Sequence, residues 1–250
     1  MIAVANQKGG VAKTTSVIHL GVAIAELGKR VLLVDIDSQG HVAEGFGILA
    51  DQLAAEMSAV IEGTKRITDI IIPNVRPNLD LAPSNARLAD TELALVNVRF
   101  RELKMKRILE PVLDRYDYIL IDCPRGLGLL TVNALIASHY ILIPMAAEYY
   151  SMLGVSLVLK TVQSIKAEGN IDLAVLGLIP TRNTHTVHAR EVVERTRAEL
   201  GNQIRIFNPP VDESVRFKEA TGQGKTVFEL APETPGAQAY RAIAKEIVHG

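Results

Sequence analysis

Residues 1–21 read MIAVANQKGGVAKTTSVIHLG, a stretch typical of a phosphate-binding loop that joins a buried strand to a helix. Gly9 and Gly10 follow Lys8, and Thr14 and Thr15 follow Lys13. The usual spelling of such a loop, G-x-x-x-x-G-K-[ST], places glycine where this chain has Gln7 and Ala12. The stretch alone therefore leaves open whether the loop is a working nucleotide site, a damaged one or a site of a different kind.

Apolar runs of strand length alternate with helical patterns along the chain. The predicted strands are 2–5, 29–37, 68–72, 78–84, 116–124, 139–145 and 171–181. The predicted helices are 14–27 with Gly28 as its cap, 85–113 with a break, 129–137, 150–168, 186–200 and 235–248, while 208–236 is predicted as ordered loops around one short helix. The pattern predicts a single domain, 1–250, with a doubly wound, mostly parallel α/β sheet and helices on both faces.

The composition is that of a globular protein with one sizeable core, since 48% of its 250 residues are hydrophobic. A net charge of −1 does not indicate a globally basic nucleic-acid binder, although it leaves room for a local basic patch. The single cysteine, Cys123, excludes a disulfide within the chain and fits a reducing, cytosolic compartment. No uncharged apolar run approaches the ~20 residues of a membrane span, so no membrane partner is expected.

Acidic residues follow two of the predicted strands. Asp35 and Asp37 close one of them, and Asp122 closes another. Because ligands bind at the carboxyl ends of the strands in such sheets, we expect these acids and the loop on one rim. There Lys13 would reach the β- and γ-phosphates of a nucleotide, and the Thr14 hydroxyl would ligate Mg²⁺.

Four stretches together resemble the ParA/MinD group of P-loop ATPases. NQKGGVAKTT resembles the deviant Walker A box of the group, K-G-G-x-x-K-[ST], and VLLVDIDSQG is similar to its second box. YDYILIDCPRGLGLLTVNAL resembles its Walker B region, and RFKEATGQGKTVFELAPETPGAQAYRAIAKEI resembles the ending of ParA and Soj. The resemblance spans nearly the whole chain. It implies a P-loop NTPase fold and a Mg²⁺-dependent ATPase that is slow without its partner, in the small form without an N-terminal DNA-reading domain.

The resemblance also implies roles for individual residues. Lys8 matches the signature lysine, which contacts phosphates bound to the other subunit of a nucleotide-sandwich homodimer, and Asp37 matches the acid that positions or activates the attacking water. The candidate catalytic residues are therefore Lys8, Lys13 and Asp37, and the candidate Mg²⁺ site consists of Thr14, Asp35 and Asp122. The candidate residues for ATP and ADP are Lys8, Gly9, Gly10, Val11, Ala12, Lys13, Thr14 and Thr15 in the loop and, for adenine, Thr181, Arg182, Pro209, Pro210 and Val211.

Three positions depart from the family pattern. Ala12 replaces the usual glycine, and if that position requires a positive φ, alanine costs ~1–2 kcal/mol; we still expect ATP to bind. Arg125 replaces a proline or small residue, and it could meet phosphate, Asp37 or the partner subunit, or lie free in solvent. NTHT replaces a family element that carries an arginine, with His185 near the place of that arginine.

ParA-like ATPases bind DNA without sequence preference as ATP-bound dimers, through contacts to phosphates. The candidate DNA-binding residues here are Arg190, Arg216, Lys218 and Lys225. The resemblance further implies a ParB-like adaptor that stimulates hydrolysis, a plasmid, chromosome or other cargo, and a cytoplasmic protein that joins the nucleoid in its ATP form.

Two other functions use the same boxes. A MinD-type membrane-cycling ATPase that regulates division-site placement is the alternative, but the ending AYRAIAKEIVHG lacks a basic amphipathic face. The iron protein of nitrogenase needs two cysteines per subunit to bridge its cluster, and this chain has one.

Overall fold

The computed structural model describes residues 1–49, 52–148 and 151–250. Within them the strands are β1 Ile2–Val4, β2 Val31–Asp35, β3 Ile72–Arg76, β4 Leu79–Ala82, β5 Tyr118–Asp122, β6 Tyr140–Ala146 and β7 Ala174–Thr181. They form one sheet in the order β3-β4-β2-β5-β1-β6-β7, in which β3 and β4 pair antiparallel and all other neighbours pair parallel. The predicted doubly wound, mostly parallel sheet is confirmed.

The helices of the described residues are α1 Lys13–Glu26, α2 His41–Glu44, α3 Met57–Glu62, α4 Leu88–Leu95, α5 Lys104–Leu109, α6 Leu129–Ala137, α7 Ser151–Glu168, α8 Val187–Leu200, α9 Val215–Gly222, α10 Val227–Leu230 and α11 Pro235–His249. The predicted helices 14–27, 129–137, 186–200 and 235–248 are confirmed to within one residue at each end. Residue 150, predicted to begin a helix, lies outside the described residues. In the described part of the chain, no helix combines the length and apolar character that a bilayer crossing requires.

Two predictions about the segments are wrong. Of the stretch 68–72 only Ile72 lies in a strand, as the first residue of β3; the Asp69 carboxylate accepts a hydrogen bond from the Arg66 N–H and holds Ile67–Asp69 in a 3-10 turn. The segment 208–236 contains two helices, α9 and α10, instead of one. The second begins at a reciprocal cap, in which the Thr226 N–H donates to the Glu229 carboxylate at 2.8 Å.

The sheet is covered on both faces, and its strands alternate their side chains between two cores. In β2, Leu32 and Val34 face a core built with α3 to α7, whereas Val31 and Leu33 face a core built with α1, α10 and α11. All four side chains are fully buried. Burial on both faces explains why this strand reads as a continuous apolar run.

The parallel register brings the ends of three strands to one rim. Asp35 at the end of β2 lies opposite Asp122 at the end of β5, and Val4 at the end of β1 lies on the other side of Asp122. The chain runs from β1 directly into the glycine-containing loop at this rim. The predicted convergence of the loop and the acids is confirmed.

A buried histidine joins α1 to the C-terminal part of the chain. His19 Nδ1 bonds the Thr15 carbonyl at 2.7 Å, and Nε2 lies 3.1 Å from the Val227 amide. A carbonyl accepts and an amide donates, so the ring carries its proton on Nδ1 and is neutral. Its ring stacks on Tyr240 of α11 with centroids 5.5 Å apart and meets the Phe217 ring edge-on at 5.0 Å. Burial lowers the pKa of His19 to about 4.

This histidine predicts a pH dependence of stability. The pKa of His19 in the folded protein lies below its unfolded value of 6.5. The contribution of this histidine to stability is therefore fully present above pH 6.5 and is lost as the pH falls towards 4. We expect a loss of about 3 kcal/mol in the free energy of unfolding over that range. In urea unfolding at a series of pH values, His19→Gln should flatten the slope between pH 6.5 and 4, while the exposed-site variant His41→Gln should not. An unchanged slope in His19→Gln would contradict the assignment.

Candidate nucleotide-binding and catalytic site

The loop after β1 presents the N-terminus of α1 to the rim. The buried Asn6 anchors it, because its Nδ2 donates to the Pro144 carbonyl at 2.7 Å and its Oδ1 accepts from the Lys8 N–H at 3.0 Å. Gly10 and Ala12 follow with positive φ angles of 74° and 63°. A left-handed turn that opens a helix gathers backbone N–H groups towards one point and makes an anion site.

Ala12 adopts the conformation that the family's glycine would favour. It is the residue before α1, with φ 63° and ψ 37°, and its carbonyl accepts the first helical hydrogen bond from Ser16 at 2.9 Å. The position does require a positive φ, as the sequence prediction supposed, so the alanine carries a strain of ~1–2 kcal/mol.

Two carboxylates lie side by side beneath the loop. Asp122 Oδ2 accepts from the Thr14 hydroxyl at 2.6 Å, and both oxygens of Asp35 accept from backbone, from the Asp37 N–H at 2.9 Å and the Val42 N–H at 3.2 Å. Burial raises the pKa of Asp122 to about 7. Burial, followed by the charge of Asp122, raises the pKa of Asp35. The pair therefore favours a cation or a proton between it and the loop.

The donors fit Mg²⁺. Asp122 Oδ1 is buried and has no hydrogen-bond partner among the described residues, a state that a metal ion or its water would relieve. Thr14 and Asp122 are thus the side chains best placed to hold the ion, whereas each oxygen of Asp35 already accepts one backbone hydrogen bond. The described residues contain no group of three or more His, Cys, Asp or Glu side chains arranged for a metal.

Lys13 and Asp37 lie at the same rim. Lys13 is the first residue of α1 and is buried, and this burial lowers its pKa. The negative charges of Asp122 and Asp37 act in the opposite direction on that pKa, so both acids lie near the ammonium. Asp37 is half-buried, and its Oδ1 accepts from the Gln39 N–H at 3.1 Å. The site therefore combines one buried cation with an accessible carboxylate.

Lys8 is bound within its own chain. Its ammonium lies 2.5 Å from Glu148, and Arg182 lies 3.5 Å from the other oxygen of the same carboxylate. Arg182 also pairs with Glu213 at 2.9 Å and donates to the Gly10 carbonyl at 3.2 Å. Glu148 and Glu213 have no place in the sequence prediction, because acids distant in the sequence reach the loop only through the fold.

A cavity of about 330 Å³ adjoins the loop. Of the predicted residues, Thr181, Arg182 and Val211 line it, together with Gly10, Ala12 and Thr15, whereas Pro209 and Pro210 do not. The sequence prediction missed six lining residues: Asp212, Glu213, Ser214, Phe217, Lys218 and Tyr240. The resemblance points to the segment 207–214 for the base, but of the lining residues in it only Val211 is named as a candidate.

The four candidate DNA-binding residues differ in their ion pairs and in their position relative to the cavity. Arg190 on α8 and Lys225 after α9 are exposed. Arg216 on α9 is exposed but lies 2.7 Å from Glu219, and Lys218 on the same helix lines the cavity. Lys218 therefore lies where it could contact a nucleotide as well as DNA.

Two family models match the chain. The AAA domain model matches residues 1–175, and the model of 4Fe-4S iron sulfur cluster binding proteins of the NifH/frxC family matches residues 112–250. The single cysteine, Cys123, is buried, so the second match reflects a shared fold without the thiolates of a cluster.

Characterised relatives are similar over the full chain. The sporulation initiation inhibitor protein Soj of Bacillus subtilis is 39% identical over 99% of this chain and 97% of its own length. The chromosome partitioning protein ParA of Myxococcus xanthus is 35% identical over 99% of this chain and 87% of its own.

Solved structures of related proteins share this fold over nearly the whole chain. Cobyrinic acid a,c-diamide synthase from Mycobacterium smegmatis, with bound ATP analog and magnesium, superposes with a TM-score of 0.86 at 33% identity over 99% of this chain and 93% of its own. A Cyanothece McdA variant in complex with ATP gives a TM-score of 0.88 at 25% identity over 99% and 95%.

The strain at Ala12 can be measured. Ala12→Gly removes the cost of the left-handed conformation from the folded state but raises the conformational entropy of the unfolded state. The two effects oppose each other, and the free energy of unfolding in urea should rise by up to about 1 kcal/mol. Ala23→Gly, in the middle of α1, is the matched control and should destabilise by about 1 kcal/mol. Titration calorimetry should show Mg-ATP binding to the parent protein and to Ala12→Gly. Equal destabilisation by both glycines would refute the strain.

Proposed function

Because the chain belongs to the ParA/Soj family of partition ATPases, we propose that it hydrolyses ATP to ADP and phosphate with Mg²⁺, dimerises on ATP, binds DNA without sequence preference and positions a cargo. The observation that carries the proposal is the register of β2 and β5, which places Asp35 and Asp122 beneath a loop that opens a helix. Relatives named as partitioning proteins match over nearly the whole of this chain, which supports partitioning over the other functions that share this fold.

Each residue at the rim would have a separate role in hydrolysis. Lys13 would bind the β- and γ-phosphates, and its burial strengthens this attraction because little water screens it. Thr14 and Asp122 would hold Mg²⁺, which supplies positive charge to the phosphate oxygens. Asp37 would orient the attacking water and accept its proton, because its carboxylate is the accessible one at the rim.

Lys8 would serve the dimer. Its contact with Glu148 leaves the two side chains 33% and 45% exposed, and an ion pair so exposed contributes at most about 1 kcal/mol. Phosphates of the nucleotide in a second copy would therefore compete well for this lysine. In the proposed dimer, Lys8 would exchange its weak ion pair with Glu148 for a stronger contact with those phosphates.

DNA would bind to the dimer through the C-terminal basic residues. Arg216 would exchange Glu219 for a phosphate, and Arg190 and Lys225 offer exposed charges. Dimerisation doubles any such patch, so a near-neutral chain agrees with DNA binding. We further propose a cytoplasmic protein that joins the nucleoid with ATP, and a ParB-like adaptor that stimulates hydrolysis. The alternative of a MinD-type membrane cycle has no specific observation in its favour.

The role of Asp37 gives the first test. Asp37→Ala should bind Mg-ATP with unchanged affinity in titration calorimetry but hydrolyse it at least tenfold more slowly, since general-base assistance contributes about 10²–10⁴-fold. Asp114→Ala, at an exposed acid away from the rim, should turn over normally. Unchanged turnover in Asp37→Ala would remove this residue from the mechanism.

Binding to DNA gives the second test. We expect the parent protein to co-sediment with DNA, and not with anionic liposomes, in the presence of ATP. Arg216→Glu should abolish this retention at moderate salt, because it replaces a phosphate contact by repulsion on each subunit. Lys160→Glu makes a like charge change at an exposed site on α7 and should retain DNA. ATP-dependent sedimentation with liposomes alone would favour the membrane cycle.

A further inference from the structure

An arginine that the family pattern does not contain covers the phosphate-binding loop. Arg125 follows β5, and a Cβ atom built on Gly9 would lie 3.1 Å from its Cδ, 3.2 Å from its Nε and 3.4 Å from its Cζ. The flat end of the side chain therefore packs against the backbone of Gly9. A side chain at that position would require the arginine to shift by a few tenths of an ångström.

The backbone around Arg125 is held in place. Before it, the Cys123 N–H donates to the Val4 carbonyl at 3.3 Å. After it, the Gly126 carbonyl accepts from the Thr131 hydroxyl of α6 at 3.1 Å, and Gly126 has a φ of 86°. The arginine thus extends from a turn fixed on both sides, which limits the entropy lost when its guanidinium binds an anion.

Arg125 differs from the other cations of the loop in its partners. Lys8 pairs with Glu148, and Arg182 pairs with Glu148 and Glu213. In the described residues, by contrast, no carboxylate forms an ion pair with Arg125. Its side chain is exposed, so its N–H donors are available to a ligand.

The position of Arg125 indicates which end of a nucleotide it would meet. Gly10 and Ala12 line the cavity proposed for the base and ribose, whereas neither Gly9 nor Arg125 lines it. Arg125 instead packs on Gly9, in the loop that ends four residues later at Lys13, the buried first residue of α1. Lys13 is the residue that reaches the β- and γ-phosphates in such loops.

We propose that Arg125 binds the γ-phosphate of the ATP held in the loop of its own chain. The inference rests on the proposed ATPase function and adds a contact to it. A guanidinium offers several N–H donors in one plane and keeps its charge at all relevant pH values, which suits a terminal phosphate. It would also face the charge that spreads over the phosphoryl oxygens during transfer.

Titration calorimetry with ATP and with ADP tests the contact, using the full chain and Mg²⁺. Arg125→Gln should weaken ATP binding by roughly tenfold or more, since this is the range for a hydrogen-bonded ion pair with phosphate, and should leave ADP binding within about twofold. Arg125→Lys should recover part of the ATP affinity. Arg99→Gln, at an exposed arginine distant in sequence from the rim, should bind both nucleotides normally.

Repeating the titrations at two protein concentrations separates the chain's own phosphate from that of a second copy. A contact within the chain predicts the same loss of ATP affinity at both concentrations. A loss that occurs only where the protein dimerises would overturn the proposal in favour of a contact to the partner, and equal effects on ATP and ADP, or none, would overturn it as well. If the parent protein bound neither nucleotide, the proposed function itself would fail.

Discussion

Two buried carboxylates, Asp35 and Asp122, lie side by side at the ends of neighbouring strands, and the rest of the site depends on how their charge is balanced. Burial raises the pKa of both carboxyl groups, and the charge of Asp122 further raises that of Asp35, so the two groups resist carrying negative charge together. Thr14 offsets part of this by its hydrogen bond to Asp122, and Lys13 by its charge. A bound cation would complete the balance, which makes this rim a receptor for a metal–nucleotide complex.

The loop above these acids is held by specific anchors. Asn6 joins the loop to the neighbouring strand β6, and Ala12 takes a left-handed conformation that glycine would adopt at lower energy. The cations around the loop are unequal in availability. Lys8 and Arg182 share Glu148, whereas Arg125 lies over Gly9 with its donors free of carboxylates in the described structure. These differences suit a site in which one cation acts within the chain and another is released for a partner.

The nucleotide site and the candidate DNA surface share structural elements. Phe217 and Lys218 of α9 line the cavity, and Arg216 lies between them and the start of the same helix. Phe217 also packs against His19 of α1, the helix that begins at the phosphate loop. A ligand in the cavity would therefore contact the helix that carries Arg216, which offers a direct physical route by which ATP could affect DNA binding.

The sequence by itself determined the alternation of strands and helices, the mostly parallel sheet and the meeting of Lys13, Asp35 and Asp122 at one rim, because local periodicity and strand ends can be read along the chain. It did not determine the 3-10 turn at Ile67–Asp69, where one side-chain contact overrides the strand propensity of the isoleucines. Only the tertiary structure decided that Glu148 holds Lys8 and that Arg125 covers Gly9. Those contacts join residues more than a hundred positions apart, and which distant side chains meet is set by the packing of the whole sheet.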